Sequence, residues 1–355
     1  MMSENSKRKI VLFPANYESN VIYEHSKELK KYEISFIVTY KENEIEVQKN
    51  SIYTNDSEKA LMDCDVLILC DNVQKMGKKA YINRINEAIR KNIPIYTSSF
   101  IYKWLGVEVF KDAETTILNS YNNRICTSSK KLRKVTCPVI SILGDGENCD
   151  KFSLILSVKK VLEDKGYSVL VISGNPLARL FNCDVLPDFL YADDISLPLK
   201  VKRANSFICD LAEQKLPDII LISCPSGIMT LNDYEHNYFG EISYVLSNAI
   251  ISDYGVLCIH YSKYYTDKYF DEMKKLCKLR LGVDIIKFYI CNQTYNVNTE
   301  EEKVEYNFYS NKFCKENLPT EIVNSNIVLL PDDKKGIETF IDELTSLLNE
   351  NPEII

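Results

Sequence analysis

The sequence lacks the residue patterns that bind metals and iron–sulfur clusters. Of its 355 residues, 12 are cysteines and three are histidines, but no two cysteines are three positions apart, so there is no C-x-x-C motif. The histidines, His25, His236 and His260, form no ligand-spaced set with the cysteines. Cys70 and Cys258 lie inside apolar runs, where a free thiol behaves as a small hydrophobe. We therefore expect reduced structural thiols, no metal site and no iron–sulfur cluster.

Long apolar runs and an excess of basic residues are also missing. No run approaches the ~18 apolar residues of a transmembrane helix, and the polar N-terminal stretch does not resemble a signal peptide. The net charge of −7 argues against a general binder of nucleic acid or of anionic membranes. We expect a cytoplasmic protein that binds neither nucleic acid nor membrane, and the oligomeric state stays open.

Glycine is scarce, with 11 residues in the chain, and its absence after the first apolar run is informative. Strand-like runs at 10–13, 33–40, 65–70 and 93–97 alternate with helical patterns, which predicts a parallel sheet. The first run continues into Pro14-Ala15-Asn16 instead of the G-x-G-x-x-G of a dinucleotide site. Residues 1–120 are therefore predicted to form a Rossmann-like α/β domain without a dinucleotide.

A polar, basic stretch at 121–137 interrupts the alternation and is predicted to be a linker. The alternation then resumes, and residues 138–355 are predicted to form a second α/β domain. The predicted fold class is thus two-domain α/β, with an N-terminal Rossmann-like parallel sheet. The C-terminal domain is predicted to be a P-loop NTPase-like parallel sheet with helices on both faces. Its strands are predicted at 139–143, 168–172, 219–223, 255–260, 285–291 and 327–330. Its helices are predicted at 151–165, 197–214, 239–249, 267–281 and 336–349.

The second domain opens with a strand, a loop containing two glycines, a lysine and a helix. This order is typical of a phosphate-binding loop, in which backbone N–H groups and a helix N-terminus hold an anion. Its spacing resembles the G-T-D-x-x-x-G-K-T loop of dethiobiotin synthetase. The candidate ligand-binding residues are Gly144, Asp145, Gly146, Glu147, Asn148, Asp150, Lys151 and Ser153.

The loop departs from that pattern where it would approach a phosphate, so it is a degenerate Walker A motif. Asp150 replaces the glycine before the lysine, and Phe152 stands where a hydroxyl residue is expected. Asp150 adds a Cβ atom and a negative charge, and Asp is also a favoured helix N-cap. We expect its carboxylate to cap the helix that starts at Lys151, and ATP or GTP to bind poorly.

A second loop, following the strand at 219–223, should reach the same edge of the sheet. Active P-loop proteins usually carry an acid at the end of this strand, whereas here it ends in Ser223-Cys224. Ser226 or Cys224 with His236 and Asp233 contains the residue types of a nucleophilic triad, although a plain turn is the favoured interpretation. The candidate residues of this loop are Ser226, Gly227, Asn232 and His236.

Three short segments carry a resemblance to a known family. Residues 134–139 (KVTCPV) leading into the glycine loop, 225–229 (PSGIM) and 9–14 (KIVLFP) resemble peptide maturation system proteins. Members accompany radical-SAM maturases and Cys-rich precursor peptides. The resemblance implies a role in ribosomal peptide modification, with a precursor peptide and a radical-SAM maturase as partners.

Two functions from different classes remain. The first is an accessory protein of a peptide maturation system that binds a peptide or maturase through the degenerate loop. The second is an ATP- or GTP-dependent enzyme, a ligase or an acyl- or phosphoryl-transfer enzyme, in which Lys151 contacts phosphate and Ser153 contacts Mg²⁺. A small-molecule sensor is a third, weaker alternative.

Overall fold

The structure is a computed structural model that describes residues 7–40, 51–71, 76–120 and 131–350. The chain forms two compact units: residues 1–121 with 176–188, and residues 122–175 with 189–355. The predicted domain boundaries place 176–188 in the second domain, whereas this segment clusters with the first unit. The first ten residues of the predicted linker, 121–130, lie outside the described residues.

The segment 176–188 belongs to the first unit because its apolar side chains are buried there. Leu177, Leu180 and Phe181 are buried, and the Phe181 ring meets the ring of His25 edge-on. Arg179 Nε donates to the backbone oxygen of Leu118 at 3.0 Å. Composition does not mark such a return of the chain, so the sequence does not reveal it.

The first unit contains a parallel sheet in the order β3-β2-β1-β4-β5-β6. Its strands are β1 (Arg8–Phe13), β2 (Tyr32–Val38), β3 (Tyr53–Thr54), β4 (Val66–Leu69), β5 (Ile95–Thr97) and β6 (Thr115–Ile117). Its helices are α1 (Tyr17–Glu24), α2 (Ser57–Met62), α3 (Lys78–Arg90) and α4 (Ser99–Leu105). The order 3-2-1-4-5-6 is that of the Rossmann fold.

The remaining strands and helices follow in chain order. The strands are β7 (Val139–Gly144), β8 (Val169–Ser173), β9 (Asp184–Val185), β10 (Ile219–Ser223), β11 (Tyr254–Ile259), β12 (Ile285–Ile290), β13 (Gln293–Asn298), β14 (Lys303–Phe308) and β15 (Val328–Leu329). The helices are α5 (Lys151–Asp164), α6 (Leu197–Lys215), α7 (Glu241–Ala249), α8 (Asp267–Leu281), α9 (Asn311–Asn317), α10 (Thr320–Val323) and α11 (Lys334–Glu350).

The strands of the second unit form a sheet in the order β15-β12-β11-β7-β10-β8, and its pairings are parallel. Strands β13 and β14 form a separate antiparallel hairpin. The predicted fold class, α/β with two parallel sheets, is confirmed. The hairpin was not predicted, because its alternating polar and aromatic residues are typical of an exposed loop as well as of a two-stranded ribbon.

Strand β7 stands at a topological switch point. It pairs with β10 on one side and β11 on the other. The connection that leaves β7 runs to β8 on the β10 side, whereas the connection that leaves β10 runs back past β7 to β11. In open α/β sheets, ligands bind beyond the carboxyl ends of the strands at such a point. The end of β7 is therefore the place to look for a site.

Across the described ranges 7–40, 51–71, 76–120 and 131–350, the helices are too short or too polar to cross a membrane. Cysteines in these ranges are free thiols, and most of them are buried.

Candidate functional site

The glycine loop lies between β7 and α5 at the switch point. All six residues of β7 are buried, and α5 begins at Lys151, as the apolar spacing predicted. Two main-chain hydrogen bonds hold the base of the loop: Asp145 N donates to Cys258 O at 2.9 Å, and Ile228 N donates to Gly144 O at 2.8 Å. The loop is thus anchored both to β11 and to the second candidate loop.

Asp150 does not cap α5, so that prediction was wrong. Its backbone is left-handed (φ 63°, ψ 22°), and its side chain makes no capping hydrogen bond. Asp and Asn tolerate this conformation better than most residues other than glycine, so Asp150 keeps the backbone shape of the glycine it replaces. The carboxyl instead accepts a hydrogen bond from the Tyr289 hydroxyl at 2.6 Å.

Burial also changes the charge of Asp150. The residue is 6% exposed, and its second carboxyl oxygen has no hydrogen-bond partner. Burial raises the pKa of this carboxyl to about 7, while the Tyr289 hydrogen bond opposes the shift. Near neutral pH, the side chain is therefore partly protonated, and it repels an anion less than a free carboxylate would.

Lys151 lies inside the loop rather than in solvent. Its Nζ donates to Gly146 O at 2.6 Å, to Ser226 O at 2.9 Å and to Cys149 Sγ at 3.3 Å. An ammonium group has three protons, so each has an acceptor. Burial raises the pKa of the Cys149 thiol, which therefore stays protonated and donates to Gly146 O at 3.1 Å.

Asp145 is turned toward β11, where it meets His260. Its Oδ2 accepts from the backbone N–H of His260 at 3.1 Å, and its Oδ1 lies 2.8 Å from His260 Nδ1. Neither of these two atoms has a hydrogen-bond partner among the described residues, so this is a close contact of buried polar atoms and not a hydrogen bond. His260 was not predicted as a site residue, although it directly follows a buried strand next to β7.

The second loop packs on the first through its start and its end. Ser226 has a left-handed backbone (φ 63°) and supplies the oxygen that Lys151 contacts. A Cβ atom on Gly227 would lie 2.6 Å from Asp145 O and 2.4 Å from Asn237 Nδ2, so only glycine fits between them. Asn237, which was not predicted either, donates through Nδ2 to Asp145 O at 3.2 Å and to Met229 O at 2.8 Å.

The other candidates of the second loop have local roles. Asn232 Oδ1 accepts from the backbone N–H groups of Tyr234 and Glu235 at 2.9 and 3.0 Å, which closes a turn. His236 is exposed, and its ring stacks on Phe239 with 5.0 Å between centroids. Within the described part of the chain, neither Ser226 nor Cys224 forms a nucleophile–base pair with His236.

Three loop candidates are half-buried and stay predictions. Glu147 and Asn148 lie at the outer part of the loop, Asn148 with a left-handed backbone (φ 53°), and Ser153 lies in the first turn of α5.

At the end of β10, Ser223 Oγ accepts from Gly174 N at 3.0 Å. The acid Asp218 lies at the opposite end of that strand, where it accepts from Ser168 N at 2.7 Å.

Comparisons with known proteins identify the fold but not the family. No family model matches the sequence, and no curated protein matches it. Among solved structures, a DUF1611 family protein from Anabaena variabilis is similar over 96% of this chain and 100% of its own, with a TM-score of 0.66 and 11% identity. At this identity the likeness shows the two-domain α/β fold alone.

Two nucleotide-related proteins overlap with part of the chain. Cobyrinic acid a,c-diamide synthase from Mycobacterium smegmatis, solved with an ATP analog and magnesium, covers 59% of this chain and 94% of its own, with 10% identity and a TM-score of 0.34. A plasmid partition protein from Borrelia burgdorferi covers 60% and 100%, with 13% identity and a TM-score of 0.35. Scores this low carry no argument about function.

Proposed function

We propose that the loop from Gly144 to Lys151 binds a phosphate-bearing ligand, with ATP or GTP accompanied by Mg²⁺ as the first candidates. The observation that supports this most is the position of Lys151, whose ammonium lies within the loop beside Gly146 O and Ser226 O. A cation held there, next to the N-terminus of a 14-residue helix, is suited to an anionic group.

The charges around the loop favour an anion more than the sequence suggested. The loop contains three acids, which would repel a polyphosphate if all three faced it. Asp145 instead contacts His260, and Asp150 faces Tyr289 with a raised pKa. Glu147 is the remaining acid, and it is half-buried at the outer part of the loop.

We further propose that the bound ligand is held without being hydrolysed. Strand β10 ends in Ser223-Cys224, so no carboxylate is available there to position Mg²⁺. The Ser223 hydroxyl already accepts from the backbone of Gly174. This favours the accessory role over a ligase or a phosphoryl-transfer enzyme.

The test is a binding titration of the purified protein with ATP and GTP, each with and without Mg²⁺. We expect binding by the natural protein and a loss of about 10- to 150-fold in affinity in Lys151→Met. The ammonium would exchange one of its three protein acceptors for a phosphate oxygen, and a hydrogen bond to a charged group contributes about 1.5–3 kcal/mol. Lys160→Met is the matched control, because Lys160 lies on the same helix but pairs with Asp164 on the surface. Equal affinity in Lys151→Met and the natural protein would refute the proposal.

The peptide maturation role rests on the resemblance of residues 9–14, 134–139 and 225–229. We propose that the protein binds a precursor peptide or a radical-SAM maturase as an accessory protein. Co-elution with a purified maturase on gel filtration, with and without a precursor peptide, tests this role. Separate elution under both conditions would refute the accessory role in peptide maturation and leave the phosphate-binding proposal standing.

A further inference from the structure

Residues 237–240 form a left-handed turn, with φ angles between 49° and 71°. The last of them is Gly240, which adopts this backbone freely, but the two before it are the aromatic residues Tyr238 and Phe239. Aromatic residues seldom have a left-handed backbone, and two in succession are not expected from local sequence. A costly backbone of this kind persists where the surrounding structure requires it, and such segments are concentrated at functional sites. The turn is therefore a place to look for a binding surface.

Contacts with the phosphate loop hold this turn in place. At its start, Asn237 Nδ2 donates to Asp145 O at 3.2 Å. At its end, Gly240 lies so close to Ile228 that a Cβ atom would come within 2.3 Å of Ile228 O. Ile228 N in turn donates to Gly144 O at 2.8 Å. The turn and the loop are thus packed together, and a ligand bound at the loop would have the turn beside it.

The turn presents two aromatic rings at the surface. Tyr238 is 49% exposed and Phe239 is 66% exposed. The Phe239 ring stacks on His236. The Tyr238 ring meets the Tyr191 ring edge-on, with 5.6 Å between centroids and 65° between planes. An edge-on neighbour covers at most one face of a ring, so the contact with Tyr191 leaves the other face of Tyr238 uncovered.

Tyr238 and Tyr191 both lie beside the outer part of the phosphate loop. Burial raises the pKa of both phenols, and the carboxylate of Glu147 raises them further, which requires that it lie close to both. Glu147 is at the outer part of the loop, whereas the Lys151 ammonium lies inside it. In a nucleotide, the sugar separates the base from the phosphates. A nucleotide with its phosphates at Lys151 therefore needs a surface for its base outside the loop, and Tyr238 meets this condition.

We propose that Tyr238 is the base-binding residue of the phosphate-loop site, and that a nucleotide held at Lys151 stacks its base on the uncovered face of the Tyr238 ring. Stacking on an aromatic side chain accepts any base, because every base has a π-face. Glu235 and Asp193 also lie near the Tyr238 phenol, and carboxylates accept hydrogen bonds from the amino groups of adenine and guanine. The ligand class is therefore a nucleotide rather than a simple phosphate, and this inference rests on the proposed function.

The experiment compares ATP with ribose 5-triphosphate, each with Mg²⁺, in binding titrations. Ribose 5-triphosphate has the same phosphates and sugar as ATP but no base. We expect the natural protein to bind ATP at least about fivefold more tightly, the lower end of the range for a base stacked on an aromatic side chain. In Tyr238→Leu the two dissociation constants should be nearly equal, with the affinity for ribose 5-triphosphate unchanged. Tyr238→Phe keeps the ring and should keep the preference for ATP.

Phe239→Leu is the matched control for Tyr238→Leu. Phe239 has the same left-handed backbone and is also exposed, but its ring stacks on His236. A general disturbance of the turn would affect both variants, whereas loss of the base-binding surface should affect Tyr238→Leu alone. Phe239→Leu should therefore keep the preference for ATP. The comparison of the two ligands in the natural protein needs no variant, so it tests the proposal even if Tyr238→Leu folds poorly.

The outcomes separate this inference from the proposed function. Equal affinity of the natural protein for ATP and ribose 5-triphosphate would overturn the role of Tyr238 and leave the proposed function standing. An equal loss of affinity for both ligands in Tyr238→Leu would also overturn it, since the ring would then support the loop and not the base. Failure of the natural protein to bind ATP, GTP or ribose 5-triphosphate would overturn both.

Discussion

Asp150→Asn should stabilise the protein at pH 8 by an amount on the order of 4 kcal/mol and by much less at pH 4. The carboxyl has a pKa of about 7 in the folded chain against 3.8 as the ordinary value, because it is buried. An acid with a raised pKa in the folded state stabilises that state below its ordinary pKa, and this contribution is lost as pH rises toward 7. Asparagine is neutral throughout, tolerates the left-handed backbone and can accept from Tyr289.

Urea unfolding of both proteins at pH 4, 5.5, 7 and 8 measures this effect. The stabilisation should grow up to about pH 7 and then level off. The value of about 4 kcal/mol is an upper limit, because the unfolded chain is not fully solvated. Asp164→Asn, at the other end of the same helix, removes an exposed partner of Lys160 and should change stability by less than about 1 kcal/mol. An equal gain in the free energy of unfolding of Asp150→Asn at pH 4 and pH 8 would show that the Asp150 carboxyl does not have a raised pKa.

Gly240→Ala should destabilise the protein by roughly 2–5 kcal/mol, combining the cost of a left-handed alanine with that of overpacking. Gly240 has φ +71°, and a Cβ atom there would lie 2.3 Å from Ile228 O. It closes a left-handed turn in which Asn237, Tyr238 and Phe239 also have positive φ angles of 49° to 52°. Since Ile228 also donates to Gly144 O, the substitution should weaken binding at the phosphate loop too.

Gly282→Ala is the matched control for this substitution. Gly282 has the same φ of +71°, but a Cβ atom there would meet nothing within 4 Å. Its cost should be limited to the conformational part, about 1–2 kcal/mol, with no effect on ligand binding. Thermal and chemical unfolding of the two variants give the comparison, and equal losses would show that the contact with Ile228 is relieved at no cost.

The alternation of strands and helices could be predicted because each buried strand of a parallel sheet is a continuous apolar run. The run from Val139 to Gly144 is buried at every position, and α5 starts at the predicted lysine. Short elements were missed, such as β6 and β9, because two or three residues carry no period. The hairpin of β13 and β14 was missed because only part of each strand is buried.

The candidate site could be predicted in outline and not in its chemistry. The spacing of Gly144 and Lys151 alone predicts a strand-to-helix loop, because local sequence rules are sufficient for that prediction. The same rules assigned Asp150 to a helix cap, which local sequence favours. The cap does not form because the Asp150 carboxyl instead accepts a buried hydrogen bond from the hydroxyl of Tyr289, 139 positions further along the chain.

By itself, the sequence determined two α/β units, a glycine loop after a buried strand, and a lysine at the start of the following helix. These features depend on residues that are neighbours in the chain, where periodicity and spacing are sufficient. Only the tertiary structure decided that His260 faces Asp145, that Ser226 O accepts from Lys151, and that 176–188 joins the first unit. The physical reason is that the carboxyl ends of parallel strands lie at the same edge of the sheet, whatever their separation in the sequence. The charge of each acid in the loop therefore depends on contacts that form only when the chain folds.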